Sequence, residues 1–528
     1  MRRAAFLLAL IAASAAAQAR ETVDASAPVA LAVTVYRDPE RGPDEAMDRA
    51  FPEGFAMVSE TRTVTLPPGE STVRFEGVAE GMVAVSAIVT GLPGGTIEKN
   101  RNAELLSPAA LVNGMLGNRV TITRANPATG EAASEPAIVR TRADGGLVLQ
   151  TGEGFEAVRC AGLPEKLTFD RVPAGLSAQP VFSIDTRDAS GGTYQIVLTY
   201  LAWGFDWQAN YVATLGEGDG RGGVELGLTS WLTLLNDNAQ SFSDAELMAV
   251  AGRLNVEGDY ESLAEPPRAE PLRLTCYPIG STARGSPVGY PPPPPPPPPP
   301  AMAATDEAII LTGSRVQRTA SPAAMMAAEE ELGDLKLYRV PEPVTVAAKG
   351  LKQVAFLQKD EIEGELIYEI GCSANRESDE EFRPAERLLA TVNDEAHGLG
   401  VALPSGGVAV FEPSSHGPLL VGEERLRDYA RGQDVEIALG TSGRVRVACT
   451  RTSEHDPATE PEKWARMEAE IANALDHPAR LRVRLGTAAD WEVRGRGLRI
   501  KDGERVIETT IPANSDRKVR WRVRSAHR

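Results

Sequence analysis

Thr193-Tyr-Gln-Ile-Val-Leu-Thr-Tyr200 decides the fold class. Its side chains alternate in character over eight positions, the period of a strand with one buried face. Its β-branched and aromatic content suits a pleated, half-buried surface. Downstream lie an aromatic cluster, Trp203-Gly-Phe-Asp-Trp207, a strand around Asn210–Leu215 and a Gly-Glu-Gly-Asp-Gly loop at 216–220. Residues 224–236 predict a further strand pair. Upstream, residues 29–37, 57–66, 72–75 and 81–89 read as strands, and Pro67-Pro68-Gly69-Glu70 is a turn because proline presets its first angle and glycine tolerates positive φ. A second unit starts near Leu105, with alternation at 120–124, 137–142 and 147–150. Strands this short, with turns about every eight to twelve residues, predict a small barrel or sandwich.

Ten consecutive prolines, Pro291–Pro300, interrupt this pattern. Each fixes φ and removes a backbone donor, so the run is an extended polyproline strut of about 30 Å. Beyond it the strand pattern resumes at 337–340, 344–346, 353–357, 366–370, 388–392, 407–411, 435–439 and 444–448. Residues 466–473 fit either helix or strand and are assigned to strand, because Leu481-Arg-Val-Arg-Leu485 and Arg520-Trp-Arg-Val-Arg524 on either side alternate plainly. The expected architecture is all-β: a multi-domain β-sandwich or barrel arrangement interrupted by a polyproline linker. Its segments are a leader at 1–19, β domains at 20–190, a β domain split between 191–280 and 336–453 by a linker at 281–335, and a sandwich-like segment at 454–528.

The chain has 528 residues, too many for one core. Its formal charge is −18, and no stretch reads as the basic stripe that phosphate binding needs, which argues against nucleic acid as a partner. Met1-Arg2-Arg3, the apolar run Ala4–Ala17 and Ala17-Gln18-Ala19 have the order of a secretory signal peptide cleaved after Ala19. No later stretch is apolar and long enough for a transmembrane helix. Export permits disulfides; of the three pairings open to four cysteines, Cys160–Cys276 with Cys372–Cys449 places one bridge in each half, the alternative being unpaired core thiols. Trp203, Trp207 and Trp231 are expected in a core, Asn236 and Asn473 bonded to backbone at strand ends, and Gly406, Gly422 and Gly440 in turns that need positive φ. The acidic run 377–381 reads as a solvated loop.

Residues 194–254 and 337–447 together resemble the bacterial DUF4139 (mucoidy-inhibitor-like) domain of unknown function. The resemblance rests on Tyr200, Trp207, Trp231-Leu-Thr-Leu-Leu-Asn236, Ser241-Phe242, Asp244-Ala245 and Val250-Ala-Gly252. It continues in Leu337-Tyr338, Val344-Thr345, Gly350, Lys352-Gln-Val354, Leu403-Pro404, Gly406, Val408, Gly422-Glu423 and Gly440. Glu470-Ile471, Asn473, Trp491 and Val519-Arg-Trp-Arg-Val-Arg524 extend it into the tail. This chain lacks the long coiled-coil insertion common in that family and carries the proline-rich linker instead. The resemblance implies an all-β, exported envelope protein, periplasmic or outer-membrane-associated in a Gram-negative bacterium. It transfers no catalytic residues.

No zinc-type cysteine or histidine spacing, nucleophile elbow, Walker loop or dinucleotide fingerprint is present, so no catalytic, cofactor or metal residues are assigned. All five histidines lie in the second half, and His397 and His416 with Asp394 could form a loop-built site. One segment is a candidate for partner binding: Ile309, Ile310, Leu311, Thr312, Gly313, Ser314 and Arg315. It resembles the stretch near the start of the plug in TonB-dependent outer-membrane transporters, and a β-branched segment on a tether can add a strand to a partner's open edge. The leading expectation is therefore a non-enzymatic envelope protein that binds an envelope or outer-membrane protein, or a surface polymer. A secreted hydrolase or carbohydrate-active protein, and a periplasmic adaptor linked to TonB-dependent transport, are the alternatives.

Overall fold

A computed structural model describes residues 20–527 apart from 43–44, 103–104, 127–128, 143–146, 159–164, 174–175, 220–221, 253, 255–259, 265–326, 334, 376–377 and 458. The fold is almost entirely β, as the alternating sequence requires. Among the described residues no helix is long and apolar enough to cross a membrane. The Pro291–Pro300 run, the segment Ile309–Arg315, Cys160 and Cys276 lie outside the described residues. The last part of the stretch read as linker is ordered differently from that reading: Ala328–Leu332 is a strand, paired antiparallel with Leu335–Arg339. Its Ala-Glu-Glu-Glu-Leu sequence has little intrinsic strand preference, so pairing with a ready neighbour decides its conformation.

The chain folds into two compact units that interleave in sequence. The first is built mainly from Ser59–Leu201. It contains a four-stranded sheet in the order Glu21–Asp24, Gly69–Glu76, Val181–Asp188, Glu98–Asn102. A separate five-stranded sheet is formed by 119–168. Against the latter packs a short helix, Pro108–Gly114, that the strand reading did not foresee; Ser107 caps it by accepting the Ala110 N–H, and proline opens its first turn. Ala109, Val112 and Met115 of this segment join Val120, Ile122, Leu147 and Leu149 in a small core. Glu60 and Arg62 are buried together, and Tyr200 donates to the Glu60 carboxylate at 2.8 Å, so this charge pair is fully bonded.

The second unit comprises Leu31–Val58, the hairpin region from Ala202, and the C-terminal part of the chain. Three long strands organise it. Gly223–Asn236 is one strand where a pair was expected. Gly350–Gly371 joins two expected strands into one of 22 residues, and Asp434–Arg451 joins two more into one of 18. The polar middles of the latter two mark changes of partner. Gly350–Gly371 pairs first with Gly223–Asn236, then with Arg383–Val392 and, in parallel, with Ala479–Thr487. The sheet curls until Gly422 closely approaches the backbone of Leu439. Inside the curl, Trp207, Tyr211, Tyr338 and Phe356 meet in edge-to-face contacts. Their polar tips are satisfied by carbonyls of Val250, Pro404 and Ala402. Trp207 is buried as expected, whereas Trp203 and Trp231 are only half-buried.

Asn236 and Asn473 bond backbone at strand ends as anticipated: each accepts the N–H two residues on and donates to carbonyls across the turn. Of the three glycines, only Gly440 has positive φ (79°). Gly406 is required for another reason. It pairs in parallel with Ala209, and a Cβ there would lie 1.9 Å from the Ala209 carbonyl oxygen. Gly422 likewise serves close approach rather than a turn.

The C-terminal part is a two-layered sandwich. One layer is Asp434–Arg451, Ala465–Asn473, Ser515–Ser525 and Trp491–Gly495; the other is the end of Gly350–Gly371 with Ala479–Thr487, Glu504–Ile511 and Leu498–Lys501. Ala465–Asn473 is a strand, as assigned. Ile370, Val445, Val447, Ile471, Leu481, Val483, Trp521 and Val523 fill the space between the layers. A disulfide, Cys372–Cys449, crosses this core as expected, with Cα atoms 5.7 Å apart. Asp379, expected in a solvated run, instead pairs with Arg383 at 2.8 Å and accepts the Cys449 N–H at 2.9 Å.

Candidate functional site

The outer side of the second layer faces a polar cleft of about 730 Å³. The strand Ala479–Thr487 places Leu481, Val483 and Leu485 in the core, so Arg480, Arg482 and Arg484 point outward by the two-residue period. Parallel pairing sets Arg482 beside Glu369, and antiparallel pairing sets it beside Glu508. Arg482 is nearly inaccessible to solvent. Its guanidinium bonds Glu369 at 3.2 Å, Glu436 at 3.0 Å and Glu508 at 3.2 Å. Arg480 bonds Glu365 and Glu508, and Arg484 bonds Glu504 and Glu369. Lys501 completes the wall with Asp434 at 2.7 Å and Glu436 at 3.1 Å.

These pairings shift the acids in opposite directions. Burial raises Glu369 above its ordinary value, only partly offset by Arg482. Burial acts the same way on Glu508, but Arg480 and Arg482 together outweigh it and hold Glu508 low. Arg484 lowers Glu504 through its hydrogen bond. Arg482 is raised: burial opposes its charge, and Glu436 and Glu369 more than compensate. A guanidinium shared by three carboxylates is bonded on every side, so its fork geometry joins strands.

His397 lies at the edge of this cleft. Its Nδ1 is 2.7 Å from Asp394 Oδ1, and the same oxygen accepts the His397 N–H at 2.8 Å. The His397 ring holds the Asp394 carboxyl below its usual range. The turn after Arg383–Val392 makes this contact, since Asn393 anchors both sides through the Val401 and Ala430 carbonyls. His416 does not join them: it sits on an exposed turn beside Ser415 and is not among the cleft's lining residues. Sequence reasoning thus found the His397–Asp394 pair but missed the Arg482 cluster. The only local signal for the latter was the Leu-Arg-Val-Arg-Leu alternation, which says nothing of partners. Among the described residues no group of three or more His, Cys, Asp or Glu is arranged to hold a metal ion.

No protein-family model matches this chain, and no curated protein matches it.

Proposed function

We propose that this chain is an exported, non-enzymatic envelope protein, related to the DUF4139 domain, that binds a protein partner or a surface polymer through its β-domains. The observation that supports this reading is the Arg482 cluster. The cleft gathers charged residues, and its cations are bonded strand to strand. Its electrostatics therefore serve the architecture rather than a reacting bond. The leader at 1–19 and the Gram-negative envelope belong to the same proposal. Expression of the full chain with a C-terminal tag tests it. The expected outcome is a mature N-terminus at Arg20 and recovery in the periplasmic or outer-membrane fraction. Retention of uncleaved chain in the cytoplasm would refute it.

One observation favours a second reading, a secreted hydrolase. The Asp394 carboxylate orients the His397 ring at the edge of a polar cleft, as a carboxylate does behind a general base. Hydrolysis of a glycan or ester panel by the pure protein, abolished in His397→Ala with folding intact, would establish it. Activity equal in both forms would end it.

A further inference from the structure

The other outer face of the sandwich carries a second groove, of about 700 Å³, lined by Thr452, Arg466, Glu468, Arg494, Arg520 and Arg522 among others. Its charges follow the strand register. Glu468 stands opposite Arg520, Glu470 opposite Lys518, and Glu492 opposite Arg524. Each of these is an ion pair, at 2.6 Å for Arg520 and 3.2 Å for Lys518 with Glu470. One row breaks the rule. Arg466 is opposite Arg522, and Arg522 is opposite Arg494, so three arginines stand side by side across three adjacent strands.

Like charges directly opposite one another on a sheet are destabilising. Among the described residues none of the three has a carboxylate partner, and all three are exposed. Arg494 instead lies over the Trp464 ring at 4.4 Å, as does Arg524 at 4.8 Å, which steadies one end of the row. Neighbouring strands are about 4.8 Å apart, so the row presents three guanidinium forks along roughly 10 Å. The segment from Glu454 onward has more Lys and Arg than Asp and Glu, the reverse of the whole chain with 55 against 73. A basic stripe is therefore present after all; it was hidden because its members lie on three strands.

We propose that the Arg466–Arg522–Arg494 row binds a linear acidic glycan, its forks taking carboxylate or sulfate groups spaced along the sugar chain. This deepens the surface-polymer reading and rests on it. Guanidinium forks match such oxyanions bidentately. The acids in the flanking rows confine the positive charge to a line, which suits a chain laid along it better than a flat anionic membrane. A peptide would gain most from main-chain bonds at a sheet edge, whereas Arg466 and Arg522 stand on strands paired on both sides, and only Arg494 is on an edge strand. Bases want open aromatic platforms; here Trp521 is buried and Trp464 is covered by arginine.

The test is titration of the full purified chain with polygalacturonate and with dextran sulfate, alongside neutral dextran, oligothymidylate, polyglutamate and phosphatidylglycerol vesicles. Binding to one or both acidic glycans, weakening with added salt, is expected, with no binding to dextran. Affinity should fall at least tenfold in the Arg466→Gln/Arg494→Gln/Arg522→Gln variant and stay unchanged in Arg171→Gln, an exposed arginine of the other unit. The triple variant should also melt at a higher temperature, because like-charge repulsion is relieved. Four results would overturn the proposal: no binding to either acidic glycan; binding unaffected by the triple substitution; tighter, row-dependent binding of oligothymidylate, polyglutamate or vesicles; or a lower melting temperature of the triple variant. These titrations are independent of where the cell places the protein, so failure here and failure of the envelope reading are separately visible.

Discussion

Arg482 and Arg522 belong to strands of the same sandwich, yet one is buried among three carboxylates and the other stands exposed between two arginines. The fold depends on the first because its removal would leave buried carboxylates without the partner that replaces their lost water. The second costs stability because its neighbours repel it and water alone screens them. A charge that the fold needs is surrounded; a charge that the fold tolerates is left available. The difference separates a structural ion cluster from a binding surface more sharply than counting charges in a cleft.

Substitution of Arg482 is the strongest way to break the comparison. Arg482→Met should leave Glu369, Glu436 and Glu508 facing one another in a buried site, at a cost of about 3–5 kcal/mol in urea denaturation. A loss below about 1 kcal/mol would mean that the cluster is no more structural than an exposed pair. The disulfide comes next, since it ties together the layers on which both surfaces are built. Cys372→Ala/Cys449→Ala opens a link between residues 77 apart and should cost roughly 2–4 kcal/mol. The affinity of the arginine row should fall only as far as the folded fraction does.

pH sharpens the contrast further. Glu508 and Glu504 are held below their unfolded values, so their stabilisation is complete above the unfolded range and is lost as pH falls from there through their lower folded values. Glu369 is raised and works in the opposite sense, its contribution weakening as pH rises through its folded value. Glu508→Gln should therefore flatten the acid limb of a stability–pH profile between about pH 5 and 2. The arginines of the row do not titrate there. The smallest expected effect is that of Arg522→Gln: a gain of about 0.2–1 kcal/mol, shrinking as salt is added. A loss of stability at low salt would show that the row is paired in solution.

Much of the fold was legible because strand period is local. Thr193–Tyr200 buries Ile196, Leu198 and Tyr200 as its alternation required. Asn236 and Asn473 act where a side-chain amide at a strand end is expected to act. The errors share a cause. Gly406 and Gly422 were read as turn glycines, since a positive φ is the common local reason for glycine, but a carbonyl and a backbone from distant strands are what exclude their side chains. Two separate strands, 353–357 and 366–370, are the local reading where the chain runs straight through 22 residues, because a polar middle looks like a break until its second set of partners is in place. The candidate sites were less legible. Asp394 and His397 are three residues apart and could be paired by eye, whereas Glu369 and Arg482 are 113 apart.

Leu481-Arg-Val-Arg-Leu485 and Arg520-Trp-Arg-Val-Arg524 are nearly the same phrase. Alternation alone makes both of them strands with arginines on one side and apolar residues on the other, because it needs only the geometry of the pleat. Which arginines would find acids was decided by register between strands far apart in the chain. That register set Arg482 against Glu369 and Glu508, and Arg522 against Arg466 and Arg494. Local period determines a side chain's face; only tertiary pairing determines its neighbour, and for a charge the neighbour decides between structure and function.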